Sequence, residues 1–122
     1  KKEKGYVQSK GGHYYDKIIQ GILGSINTFA ANPLETLNYV EVHDNNTLFD
    51  KLYFTKTENE EFEHPEGEIL KEIKMMHKLS AFLLLTSQGI PVLHLGQDFL
   101  RTKYGVENSY NAGDKINKID WN

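Results

Sequence analysis

The sequence predicts an α/β fold with parallel strands, on three observations. Residues 37–42 are a short, mostly apolar run that breaks off at His43-Asp44-Asn45-Asn46. Residues 66–88 carry Ile69, Ile73, Met76, Leu79 and Leu83 at the spacing of one helix face. Residues 91–95, Pro91-Val92-Leu93-His94-Leu95, are a second short and largely apolar run. Such runs suit strands covered on both faces, as in a parallel sheet. Strand, helices, strand is then a βαβ unit, expected to be right-handed.

Residues 1–12 are polar and glycine-containing and read as a loop or a frayed end. Residues 14–31 place Tyr15, Ile18, Ile19, Ile22, Leu23 and Ile26 near helical spacing, so a helix is expected, bent at Gly21 and Gly24. Tyr14 and Tyr15 suit packing, with sugar stacking as the alternative. Asn32-Pro33 breaks that helix. Tyr39, Val40 and Val42 favour extended backbone. Asn45 and Asn46 favour a turn or a helix N-cap, and residues 47–52 read as a first helical turn. Residues 53–67 hold the acidic cluster Glu58, Glu60, Glu61 and Glu63 with Phe62 among them. They read as an exposed, solvated loop; such clusters can bind calcium, but no calcium-loop register is present. The long helix is expected to bury its C-terminal half on more than one side and to stop at Gly89. His77 lies near its apolar face and reads as a partly buried or surface histidine.

The chain has 122 residues and a formal net charge of −3. That suits one domain and offers no basic surface for nucleic acid. It has no cysteine, so disulfides and thiolate metal sites are excluded. No apolar run approaches the ~20 residues of a membrane-crossing helix, so no membrane partner is expected. Lys1-Lys2-Glu3-Lys4 has no apolar segment behind it, so no signal peptide is expected.

A buried strand, then an imidazole and a carboxylate, then a helix start is how a (β/α) barrel displays functional groups at its C-terminal face. A His-Asp pair after a strand is also an ordinary loop pair or cap. Tyr39-Val40-Glu41-Val42-His43-Asp44-Asn45, followed by Thr47-Leu48-Phe49-Asp50-Lys51-Leu52, resembles the seventh-strand motif of the α-amylase-type glycoside hydrolases. It is most similar to the type I pullulanase version, with Phe49 in place of the usual Trp. Gly89-Ile90-Pro91, then Gly96-Gln97-Asp98, resembles the eighth-strand signature of that family, with Asp98 where Glu is usual. The tail resembles the loop after that strand in type I pullulanases: Arg101-Thr102-Lys103, Asn108-Ser109-Tyr110, then Asp114, Asn117 and Asp120-Trp121. The resemblance covers roughly residues 20–55 and 75–121.

The resemblance implies a partial (β/α)8 barrel, strands 7 and 8 with their helices. A whole barrel takes about 250 residues, so residues 1–122 are expected to be a fragment of a catalytic domain. The implied activity is retaining hydrolysis of α-1,6 links in pullulan, amylopectin or glycogen. The expected partners are the α-glucan and the rest of the parent barrel. By residue match Asp44 is the third catalytic carboxylate. His43 donates to the sugar beside it, and Asp114 contacts the next glucose. Lys118 stands where some relatives carry Arg, and Asn45, Arg101 and Asn117 are substrate or loop-shaping contacts. The family's Arg-x-Asp nucleophile motif is absent, and no Glu has the context of its general acid, so the chain alone is expected to be inactive. No cofactor is expected, though a structural calcium fits the longer enzyme. Such enzymes are often secreted or at the cell surface, with a cytoplasmic setting as the alternative. Rival readings are an isoamylase or branching enzyme, a β-sandwich carbohydrate-binding module, and a small α/β domain with no sugar role.

Overall fold

The computed structural model describes residues 3–8 and 14–121. A 3₁₀ turn at Tyr6–Gln8 precedes helix α1, Tyr15–Ile22. A 3₁₀ turn at Pro33–Glu35 leads into strand β1, Leu37–Asn38, which is followed by helices α2, Leu48–Thr57, and α3, Gly67–Thr86. Strand β2, Ile90–Pro91, a 3₁₀ turn at Gln97–Phe99 and the short helix α4, Asp114–Asn117, complete the order. The two strands are parallel neighbours, Leu37 opposite Ile90 and Asn38 opposite Pro91. Among the described residues, four helices with two-residue strands are not a β-sandwich.

Both strands are shorter than the runs that predicted them. The ladder is extended by one bond at each end, Ile90 N–H to Thr36 O at 3.0 Å and Val92 N–H to Asn38 O at 2.8 Å. Tyr39, Val40, Leu93 and Leu95 then run on with exposed side chains. An extended segment becomes a strand only where a partner's amides face it, and here two residues on each side do. The expected barrel is thus seen only as two parallel strands and the helices around them.

Gly89 is required where β1 and β2 converge. Its φ is 111°, and a Cβ there would collide with the Thr36 hydroxyl and the Asn38 amide. Gly24 ends α1 early. It is left-handed at φ 71°, with Pro33 so near that a Cβ there would collide with it, and the helix stops at Ile22 instead of bending and continuing. Tyr15 is exposed, contrary to its expected role in packing.

The core lies between α2 and α3. Leu48, Phe49, Leu52, Tyr53, Phe54 and Ile73 form it, with Val7, Leu70 and Phe62 packed alongside. Val7 belongs to a region, residues 1–12, expected to be loop; residues 1, 2 and 9–12 of that region lie outside the described residues. Phe49 is buried, as a packing position requires. Residues 53–67 depart furthest from expectation. α2 runs on to Thr57, and Phe62 closes on the Tyr53 ring at 4.9 Å. The Tyr53 hydroxyl accepts from the Glu63 N–H at 3.1 Å and from Asn59 Nδ2 at 2.9 Å. One aromatic residue in an acidic stretch suffices to pin it, because each ring buries a large apolar face.

α3 also turns differently from its periodicity. Its buried stripe is Ile73, His77, Ser80 and Leu84. Ile69, Leu79, Phe82 and Leu85 are exposed, so its C-terminal half is not buried on several sides. Ser80 fits the stripe because its hydroxyl bonds Met76 O at 2.9 Å. His77 is buried, and burial holds its pKa below the usual histidine value.

Candidate functional site

The cleft begins with the start of α2. Thr47, not Asn45 or Asn46, is the N-cap, its hydroxyl accepting from Asp50 N–H at 3.2 Å. The buried Glu41 carboxylate accepts from Leu48 N–H in the same first turn. Burial, the largest influence, raises the Glu41 pKa to about 7, against the lowering effect of the Leu48 bond. With residues 41 and 47–50 anchored, residues 43–45 bulge outward. Asn45 takes the left-handed φ of 59° that Asn tolerates, and the His43 and Asp44 side chains project into solvent. His43 Nε2 lies 3.4 Å from Asp44 Oδ1.

The opposite wall comes from the tail, and Asp50 brings it there. One Asp50 oxygen accepts from Thr102 Oγ1 at 2.5 Å, the other from Lys103 N at 2.9 Å and Gly105 N at 3.2 Å. Lys103, 1% exposed, runs inward between the two walls. Its ammonium donates to the His43 carbonyl at 3.2 Å and to Ser109 Oγ at 3.1 Å. Burial and the nearby Arg101 charge pull the Lys103 pKa below its ordinary value, opposed by Asp50, Asp44 and Glu41. Asn117 Nδ2 donates to Ser109 O at 2.7 Å and secures the far end.

Between the walls is an open cleft of about 560 Å³, lined by His43, Asp44, Asn45, residues 107–110 and Asn117. It offers an imidazole, two carboxylates, three amides, hydroxyls and the exposed Tyr110 ring. These groups suit a polyhydroxylated ligand: planar polar groups pair with hydroxyls, and an aromatic ring covers a sugar's apolar face. Among the described residues no group of three or more His, Asp or Glu side chains is placed to hold a metal ion. Among the same described residues no helix is long and apolar enough to cross a membrane.

No protein-family model matches the chain. It is 39% identical over 109 residues to the pullulanase of Bacillus subtilis, covering 85% of this chain and 14% of that relative. The chloroplastic pullulanase 1 of Arabidopsis thaliana is 39% identical over 93 residues, covering 76% of this chain and 9% of that relative. A solved structure, a variant pullulanase from Paenibacillus barengoltzii complexed with maltotetraose, superposes with a TM-score of 0.84 at 40% identity. It covers 98% of this chain and 18% of that one. The chain is related to the pullulanases. It spans less than a fifth of the length of each of these three relatives.

The residues singled out by the pullulanase resemblance fall in three places. His43, Asp44, Asn45 and Asn117 share the cleft. Arg101 and Lys118 line a neighbouring cavity of about 340 Å³ with His64, Phe99, Tyr104 and Lys115. Asp114 is exposed at the start of α4 and lines neither cavity. Arg101 bonds protein groups: Nη2 donates to Asn117 O at 2.9 Å, and Nη1 lies 3.3 Å from His94 Nε2. Asp98, where the pullulanase pattern has Glu, is exposed in the 3₁₀ turn after β2.

Sequence reasoning did not single out Asp50, Lys103, Ser109 and Tyr110, which build or line the second wall. Lys103 and residues 108–110 do lie in the tail motifs shared with type I pullulanases, and those motifs are the signal that could have found them.

Proposed function

We propose that this chain is a segment of a starch-debranching glycoside hydrolase, acting on α-1,6-glucosidic links of pullulan, amylopectin or glycogen. One observation carries the reading: the His43-Asp44 pair faces residues 107–110 and Asn117 across one open cleft. The tail motifs that form this wall favour a pullulanase over an isoamylase or branching enzyme. Support also comes from the Paenibacillus relative, whose structure holds maltotetraose.

On this reading residues 1–122 are two βα units of one catalytic (β/α)8 barrel, and the exposed apolar residues of β1 and β2 meet the rest of that barrel. Hydrolysis proceeds with retention through an oxocarbenium-like transition state, using a nucleophilic carboxylate and a general acid. Both come from outside this segment. Asp44 supplies a third carboxylate that accepts hydrogen bonds from sugar hydroxyls, bonds that strengthen as the ring distorts. His43 donates a ring N–H to the same sugar. Asn45 and Asn117 pair with further hydroxyls, and Asp114 and Lys118 reach the neighbouring glucose.

Pullulan digestion tests the reading. The longer protein that carries this segment is expected to release maltotriose, and the isolated chain none. Robust release by the isolated chain would overturn the assignment of the nucleophile and acid to other segments. No release by the longer protein would overturn the debranching assignment.

A further inference from the structure

A buried polar cluster joins the two strand ends, and the proposed chemistry does not use it. Glu41 follows β1 and lies two residues before His43. His94 lies three residues past β2, and its Nδ1 is 3.6 Å from Glu41 Oε1. Both atoms are buried and without a hydrogen-bond partner at that separation. On the other side of the ring, His94 Nε2 is 3.3 Å from Arg101 Nη1. Arg101 Nη2 donates to the Asn117 carbonyl at 2.9 Å, and the Asn117 amide holds Ser109 O at 2.7 Å. The cluster therefore runs from the His43-Asp44 wall of the cleft to the Ser109-Asn117 wall.

The chemistry of the donors fixes where the proton sits. A guanidinium only donates, so His94 Nε2 must present its lone pair to Arg101. The neutral ring's single proton is then on Nδ1, aimed at Glu41 Oε1. A doubly protonated ring would set an N–H against the Arg101 N–H. Burial, then the Arg101, Lys103 and His43 charges, hold the His94 pKa below its usual value and keep the ring neutral. The charged groups acting on Glu41 are Arg101, Asp50 and Lys103.

We propose that Glu41, His94 and Arg101 are positioning residues for the cleft, linked by a proton held on His94 Nδ1 that ties its two walls together. They touch no substrate; they act through residues 43–44 and through Asn117. The proposal depends on the debranching reading only for what the cleft holds.

The test is ¹⁵N NMR of the imidazoles of this chain at pH 8.5, where Glu41 is ionised. His94 is expected to favour the Nδ1–H tautomer by about tenfold or more, because that tautomer faces a lone pair to the guanidinium and an N–H to the carboxylate. Arg101→Leu is expected to shift it toward Nε2–H and to move the Ser109 and Asn117 amide resonances. A volume change in the helical core, Ile73→Val, should leave the tautomer as it was. An Nε2–H tautomer in the unsubstituted chain would overturn the proposal, as would a tautomer indifferent to Arg101→Leu. If Arg101→Leu does not fold, the tautomer of the unsubstituted chain decides alone. No sugar is present, so failure here leaves the debranching reading standing, and failure of pullulan digestion leaves the tautomer result standing.

Discussion

The α2–α3 side of the molecule and the cleft side are held by different forces. Between the helices, Phe49, Leu52, Tyr53, Phe54 and Ile73 exclude water, and Phe62 closes the cluster from the acidic stretch. This region is stabilised by area removed from water, which has no direction. On the cleft side the long apolar residues face outward, Leu37 at 65% exposure and Leu95 at 58%. What holds that side is directional: the Asp50 carboxylate with three donors, the Lys103 ammonium with two acceptors, and Arg101 with Asn117. Apolar packing accepts a substitute of similar volume. A hydrogen-bonded carboxylate accepts none that lacks its oxygens.

Volume-conserving substitutions sharpen that comparison most. Phe54→Ala should destabilise by about 3–5 kcal/mol through the cavity it leaves, and Phe54→Leu by much less, about 1.5 kcal/mol. Asp50→Leu conserves bulk too, yet strands the donors of Thr102, Lys103 and Gly105, so a loss of about 3 kcal/mol or more is expected. Urea unfolding of the three variants checks this. Equal losses for Phe54→Leu and Asp50→Leu would erase the distinction.

Lys103→Met comes next. It keeps the buried stem and removes the bonds to His43 O and Ser109 Oγ, for an expected loss of about 1–3 kcal/mol. Amide exchange should quicken at residues 43–46 and 106–110 and stay slow within α2 and α3. Uniform quickening would mean that the two regions open as one.

The pH dependence follows from Glu41 on one side and from His77 and His94 on the other, which work in opposite directions. The folded Glu41 pKa, about 7, is above the 4.5 of the free side chain. The folded state therefore holds the extra proton between those values, and this contribution to stability is lost as pH rises through that window. His77 and His94 are lowered, so their charging on acidification below about 6.5 favours the unfolded chain. Thermal melts of the unsubstituted chain and Glu41→Gln should thus converge at pH 5 and diverge by pH 8, with the unsubstituted chain relatively weaker at pH 8. A constant gap would contradict the burial of Glu41. The smallest effect belongs to the exposed Glu68–Lys71 pair at 3.3 Å, where Glu68→Gln should change stability by no more than about 0.5 kcal/mol.

Local features were legible in the sequence. The long helix, its end near Gly89 and the parallel relation of the two short runs, starting at 37 and at 91, follow from spacing or from one residue's backbone needs; the burial of Phe49 follows from its place in the shared motif. The convergence of the His43-Asp44 loop with the tail was legible through shared motifs, not through periodicity. What did not show is long-range. Asp50 bonds residues 52 to 55 positions away, and Lys103 reaches back 60 to His43. Such bonds leave no local pattern, so nothing in the sequence around Asp50 or Lys103 marks either side chain as buried. The helix expected over 14–31 stopped at Ile22 because the close approach of Pro33 to Gly24 cannot be read from spacing. The stripe on α3 was misplaced because His77 and Ser80 do not count as apolar, yet both lie inside.

The central claim is that Asp44 grips a glucose ring in the transition state of a debranching reaction. Pullulan hydrolysis by the longer protein carrying this segment, compared with its Asp44→Asn variant, tests it most directly. The account predicts that kcat falls by at least about 100-fold, the loss of several kcal/mol of transition-state bonding. It also predicts that the melting temperature stays unchanged, because this side chain is exposed and its removal strands no buried group. An Asp44→Asn protein that released maltotriose at the unsubstituted rate would contradict the account.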